Sequence, residues 1–343
     1  MTWILALLLA TPGDGPLLTF APDYDKALAE AAERGVPLLF LNFDAWATEP
    51  WQPWLTAAPF AKSVSRAVVL ISSQEEHGDK VEVIDGSPRN VCRIFGQVTC
   101  LQHRNILERL FQEFVEEGGS LITPHFFIVS PERKILHRAE HEFTPDAVTT
   151  ALDDAMRQFP HGLDCASYLK VRRCLAQAEV DIGSRLFEDG VPRLREALDL
   201  AGQSPMRPKA EALCTKLEQF AREILVRADA SVEKGNVLEA LVALDDLVAD
   251  LERFAPVEEA RARERSLLDT PAGRELRKEL KDHGDARALF RQARANEKAG
   301  KTKLAIQALR KIVTRYGKTA FGERAALRLE QLGSKAPPRE PMR

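Results

Sequence analysis

The sequence predicts an α/β domain followed by an all-α domain of helical repeats. Three observations predict it. Strand-like apolar runs alternate with amphipathic stretches up to about residue 160. From Tyr168 onward no strand pattern remains, and Ala, Leu, Glu, Lys and Arg recur at helical spacing. Within that second part, a set of small and apolar residues repeats at an offset of 65 residues. A chain of 343 residues is too long for one ordinary domain, and 45% hydrophobic content is enough to bury a core.

Residues 1–20 read as a signal peptide and lead-in. Trp3 to Ala10 is an apolar run of h-region length, followed by a small residue suited to cleavage near Ala10, although no Lys or Arg precedes it. A buried first strand or helix is the other reading. The run is too short to cross a bilayer, which takes ~20 apolar residues.

Residues 21–162 form the α/β domain. Leu17 to Phe20 is a short strand, and Tyr24 to Arg34 is a helix that ends at Gly35, a residue suited to a left-handed cap. Pro37 to Phe43 and Ala67 to Ser72 are continuous apolar runs, the pattern of strands buried on both faces, with a helix between them. Asn105 to Glu116 carries Ile106, Leu107, Leu110, Phe111 and Phe114 on one helical face. Pro124 to Val129 and Lys134 to His137 flank the turn Ser130 to Arg133, and Thr144-Pro145 opens a last helix. This order implies a sheet that ends in an antiparallel hairpin.

Residues 163–333 form the helical domain, and 334–343 a disordered tail. Ala228, Gly235, Ala240, Leu244 and Leu247 recur as Ala293, Gly300, Ala305, Leu309 and Ile312, and Ala260 and Leu267 recur as Ala325 and Leu332. Small residues allow close helix approach and Gly opens a tight turn. From about Arg173 to Leu332 this resembles degenerate tetratricopeptide repeats of the kind found in bacterial envelope proteins.

The first domain resembles thioredoxin. That family's strand-to-helix junction reads Phe-Trp-Ala-x-Trp-Cys-Gly-Pro-Cys, and without a gap this chain reads Phe43, Asp44, Ala45, Trp46, Ala47, Thr48, Glu49, Pro50, Trp51. Residues 121–136 are similar to the family's Thr-Pro and hairpin, which implies that Thr123 and Pro124 face the site and that Pro124 is cis. Thr48 and Trp51 stand in the two cysteine positions. Dithiol exchange needs a thiolate and a second, resolving thiol, so this degenerate site lacks the ordinary oxidoreductase chemistry. Trp46, Trp51 and Trp54, with Phe60 and His125, are candidates for a peptide-binding surface. Packing beneath the helix cap is the plain alternative for the rings.

Five cysteines leave at most two pairs. Cys92 and Cys100 bracket Gly96. In one continuous helix they would lie about 12 Å apart, too far for a disulfide, whereas a turn at Gly96 permits pairing. In an exported chain a structural disulfide is favoured, with two inert buried thiols next. A metal site from Cys92, Cys100 and His103, with His125 as a possible fourth ligand, and a relocated redox pair are further readings. The Cys-x7-Cys spacing departs from the short zinc knuckle. His137 and His141 flank a strand end and read as exposed polar residues, and Asp153-Asp154 and Glu116-Glu117 read as solvated helix faces.

A net charge of −3 supplies no global field for nucleic acid or anionic membrane. No Gly-rich phosphate loop, Gly-x-Ser-x-Gly elbow or His-Glu-x-x-His motif is present, and no cofactor is expected. These readings lead to a non-catalytic adaptor, exported to the periplasm or envelope, whose partner is a protein or peptide. The alternatives are a thiol-disulfide oxidoreductase using Cys92 and Cys100 and, for location, the cytoplasm.

Overall fold

The computed structural model describes residues 18–43, 57–84, 86–115, 125–140, 143–184, 186–251, 254 and 256–334. Its N-terminal region is a small mixed sheet with helices on both faces, and its C-terminal part is mostly helical.

Helix α1 (Tyr24–Arg34) starts where Asp23 accepts a bond from the Lys26 amide and stops at Gly35, whose φ of 65° is costly for other residues. Strand β1 (Leu38–Asn42) follows, then α2 (Ala58–Val64) and β2 (Val68–Ser72). A two-stranded excursion, β3 (Asp79–Ile84) and β4 (Ser87–Cys92), leads into α3 (Cys100–Phe114). Strands β5 (His125–Val129) and β6 (Ile135–Glu140) and helix α4 (Pro145–Met156) complete the region.

The main sheet has the order β2-β1-β5-β6, with β1 parallel to β2 and antiparallel to β5. The apolar runs are buried on both faces, as their composition predicts. Leu39, Leu41, Val69, Ile71, Phe126 and Ile128 pack with residues of α2 and α4 on one face. Leu38, Phe40, Val68, Leu70, Phe127 and Val129 pack with residues of α1 and α3 on the other. Among the described residues of the expected first strand there is one parallel bridge, between Phe20 and Val69. Helix α3 begins five residues earlier than its apolar stripe suggests, because Thr99 and Gln102 form a reciprocal capping box.

Two buried tyrosines tie this region together. Tyr24 donates to Glu113 at 2.5 Å and Tyr168 to Glu33 at 2.6 Å. Burial, then the adjoining carboxylate, pushes both hydroxyls well above the ordinary tyrosine value of 10.0. The folded state thus favours the protonated phenol, so this contribution is complete below pH 10 and is lost as pH rises beyond it. Tyr24→Phe and Tyr168→Phe are expected to flatten the fall in urea midpoint above pH 10; an unchanged slope in both variants would contradict this account.

Helices α5 (Cys165–Gly183), α6 (Phe187–Ala201), α7 (Arg207–Glu233), α8 (Val237–Asp250), α9 (Val257–Leu268), α10 (Pro271–Glu275), α11 (Arg277–Lys298), α12 (Thr302–Tyr316) and α13 (Ala320–Gln331) follow. The described residues divide into two compact units. One lies within Met1–Leu175 and Glu196–Ala210, the other within Ala176–Arg195 and Glu211–Arg343. The 65-residue offset has a direct structural counterpart. Gly235 and Gly300 both take positive φ after a long helix, and the next amides, of Asn236 and Lys301, each donate back over five residues at 2.8 Å. Ala228, Ala240, Leu244, Leu247 and Ala260 are buried, as are Ala293, Ala305, Leu309, Ile312 and Ala325.

Candidate functional site

Of the residues expected to carry chemistry, Trp46, Thr48, Glu49, Pro50, Trp51, Trp54, Thr123 and Pro124 lie outside the described residues, as does His141. His125 is fully buried on β5, with Nδ1 3.4 Å from Asn42 Nδ2 and its ring 5.0 Å from that of Phe127. Phe60 is a core residue, not a surface ring. His137 stacks on Phe126, and Asp153 pairs with Arg66.

Cys92, Cys100 and His103 do come together, and His77 joins them in place of His125. Each of the four offers one ligand atom, and these atoms all lie within 4.8 Å of one another. The excursion explains the approach. Cys92 ends β4 and pairs across the ladder with Asp79, so His77, just before β3, returns to the far end of the hairpin. Beyond Cys92 the chain turns through Gly96, which takes φ 71°; the Gly96 amide donates to Cys92 O at 2.9 Å and the Cys92 amide to Val98 O at 2.6 Å. The segment 92–100 is therefore a closed turn and not a helix. Cys100 is the first residue of α3, and His103, three residues on, shares its face.

Cys92 and His103 are 0% exposed and Cys100 is 4% exposed. Both cysteines are free thiols. Phe95 packs edge-on against His77 and His103, with centroids 5.4 and 5.2 Å away, and shields the group. Cys92 Sγ lies 3.4 Å from His77 Nδ1. His103 Nδ1 lies 3.0 Å from the Ser73 carbonyl, which makes it the protonated nitrogen and leaves Nε2 a bare lone pair. Nε2 of His77 and of His103 are buried without a hydrogen-bond partner.

Burial, then the Asp79 carboxylate, pushes the Cys100 thiol up to about 12. Burial also lowers the pKa of His77 and of His103, which keeps both rings neutral. A thiol so far above neutral pH, and closed off from solvent, is a poor nucleophile. The same four groups, two sulfurs and two neutral imidazoles, are a set of soft and borderline metal donors.

His77 is the member of this group that the sequence reading misses. It lies in the polar stretch Glu75-Glu76-His77-Gly78-Asp79, which resembles an exposed turn. The available signal was Asp85-Gly86 after the alternating run Lys80 to Ile84, a hairpin cue that would have brought position 77 back to position 92.

A second group, Asp245, Asp246 and His283, already holds a cation. Arg287 lies 2.8 Å from Asp245 and 2.7 Å from Asp246, and His283 Nε2 lies 2.9 Å from Asp246. No family model matches this chain. Comparison with curated proteins likewise gives no match.

Proposed function

We propose that the chain is a non-catalytic, exported protein-interaction adaptor: a redox-inactive thioredoxin-like region at residues 21–162 followed by degenerate tetratricopeptide-like helices. The observation that carries this reading is the burial of the sulfur pair. Thiol-disulfide exchange requires an incoming disulfide to reach a thiolate along the S–S axis. Cys92 and Cys100 sit in the same hydrophobic cluster as Phe95, with at most 4% of their surface exposed. The sheet order, with one parallel pair and a terminal antiparallel hairpin, supports the thioredoxin-like reading. Thr48 and Trp51 in the cysteine positions support the loss of its chemistry. The duplicated helical pattern supports an array that presents surface to a protein or peptide. Net charge argues against nucleic acid, and among the described residues no helix is long and apolar enough to cross a membrane.

Reduction of insulin disulfides by dithiothreitol is expected to proceed at the uncatalysed rate when the purified chain is added. Turnover that disappears in Cys92→Ser or Cys100→Ser would overturn the reading in favour of an oxidoreductase. A photo-crosslinking residue at the exposed positions Val226, Leu304 or Leu327 is expected to give one defined polypeptide adduct in the source cells. No adduct at any of the three would remove the adaptor role.

A further inference from the structure

We propose that His77, Cys92, Cys100 and His103 form a structural zinc site that fastens the β3–β4 excursion and the start of α3 together.

Donor chemistry is the first argument. Two cysteine sulfurs and two imidazole nitrogens are one of the standard structural zinc sets. Zn–S bonds of about 2.3 Å and Zn–N bonds of about 2.0–2.1 Å place tetrahedral ligands about 3.4–3.8 Å from one another. The contact of Cys92 Sγ with His77 Nδ1, at 3.4 Å, already has that length, and all four ligand atoms lie within 4.8 Å of one another. Closing on an ion requires contraction of no more than about 1.4 Å along any edge.

The second argument is the unpaired Nε2 of His103. A buried lone pair with no donor is unfavourable, and native structures contain few of them. His103 is fully buried with its Nδ1 held by the Ser73 carbonyl, the outer-shell arrangement that fixes the tautomer and presents Nε2 to a metal. A zinc ion supplies the missing partner.

The third is charge. Binding replaces the protons of the two thiols with one Zn2+, and both protons leave to solvent, so two thiolates, two neutral imidazoles and the ion sum to zero. A neutral site can occupy an apolar pocket without the cost of a buried net charge. Cys92, Phe95, Val98 and Cys100 belong to the hydrophobic cluster that also holds Leu39, Ile71 and Phe126. Four protein ligands leave no position for water or substrate, which makes the site structural. Its span explains the long spacing: the excursion buries little apolar surface of its own, with Val81 67% and Val83 74% exposed, and a metal clip offsets a thin core.

The site stands whether or not the helices bind a partner, and its test is independent of that reading. The full chain, expressed with zinc and purified in a non-thiol reductant without chelator, is expected to carry about one zinc per chain by mass spectrometry of metals. Cys100→Ser and His103→Ala are each expected to lower zinc retention about tenfold or more, with the far-UV helical signal retained. Should a variant fail to fold, the wild-type chain with Co2+ in place of zinc gives the second readout. The expected spectrum has intense visible bands of a tetrahedral ion and a thiolate charge-transfer band in the near ultraviolet. Zinc content below about a tenth of an equivalent after zinc-supplemented dialysis would overturn the proposal. So would a weak octahedral Co2+ spectrum, or a stoichiometric Cys92–Cys100 disulfide in metal-replete protein.

Discussion

Replacing Arg34 with Met is expected to cost about 3–5 kcal/mol of folding stability, one of the two largest effects predicted for this chain. Arg34 is the last residue of α1, yet only 1% of it is exposed. Its guanidinium donates to Leu163 O at 3.0 Å, Ala67 O at 3.2 Å and Ser65 O at 2.6 Å, and meets Glu30 at 3.1 Å. One planar group thus satisfies carbonyls from two separate segments and is itself neutralised. Met keeps the stem volume but takes the guanidinium donors from Leu163 O, Ala67 O and Ser65 O, of which Ser65 O retains the Cys165 amide at 3.2 Å. Lys keeps the charge but cannot serve a fork of three directions, so Arg34→Lys should lie between Met and wild type. Urea denaturation followed by far-UV ellipticity gives the comparison. A loss of less than about 1 kcal/mol for Arg34→Met would mean that water replaces the guanidinium at little cost.

Arg34 also marks where sequence reading stops. As the residue before Gly35 it looks like an ordinary basic helix end, favourable beside the last carbonyls. Its burial depends on contacts 31, 33 and 129 residues away, which no local pattern records. The central strands are the opposite case. Leu38–Asn42 and Val68–Ser72 are legible because burial on both faces forces an unbroken apolar run, and the Gly35 and Thr144 caps are legible because each is a local requirement. The β3–β4 hairpin follows neither rule. Both strands are largely exposed, so hydrophobicity carries little signal, and only the Asp85-Gly86 turn marks the fold-back. Three members of the cysteine–histidine group were therefore visible as a spacing, and the fourth depended on a hairpin that the apolar pattern does not reveal.

The helical repeat leads to the other large effect, because the two copies share a frame but not a core. Most paired positions match in burial. Phe321 breaks the match, since its counterpart 65 residues earlier is Pro256; Leu329, in the same cluster, is answered by Glu264. Burial raises the pKa of that carboxyl, so the first copy holds a desolvated acid where the second holds a fully buried leucine. The second copy compensates with an aromatic group. Phe321 is 3% exposed, with its ring 5.6 Å from Phe290, 5.1 Å from His283 and beneath the Arg324 guanidinium at 5.2 Å. Ala286, Ala293, Leu309, Ile312, Val313 and Ala325 close around the same cluster. Phe321→Ala is accordingly expected to cost about 3–5 kcal/mol, from lost apolar burial and from the cavity left among alanines too short to fill it. Phe321→Leu should cost less than about 1.5 kcal/mol, because it keeps most of the volume. Leu327→Ala, on the same helix at 60% exposure, should stay within about 0.5 kcal/mol and serves as the control. Equal urea midpoints for Phe321→Ala and Leu327→Ala would mean that Phe321 is not the plug of this cluster, and that the second copy is held by its small-residue helix contacts alone.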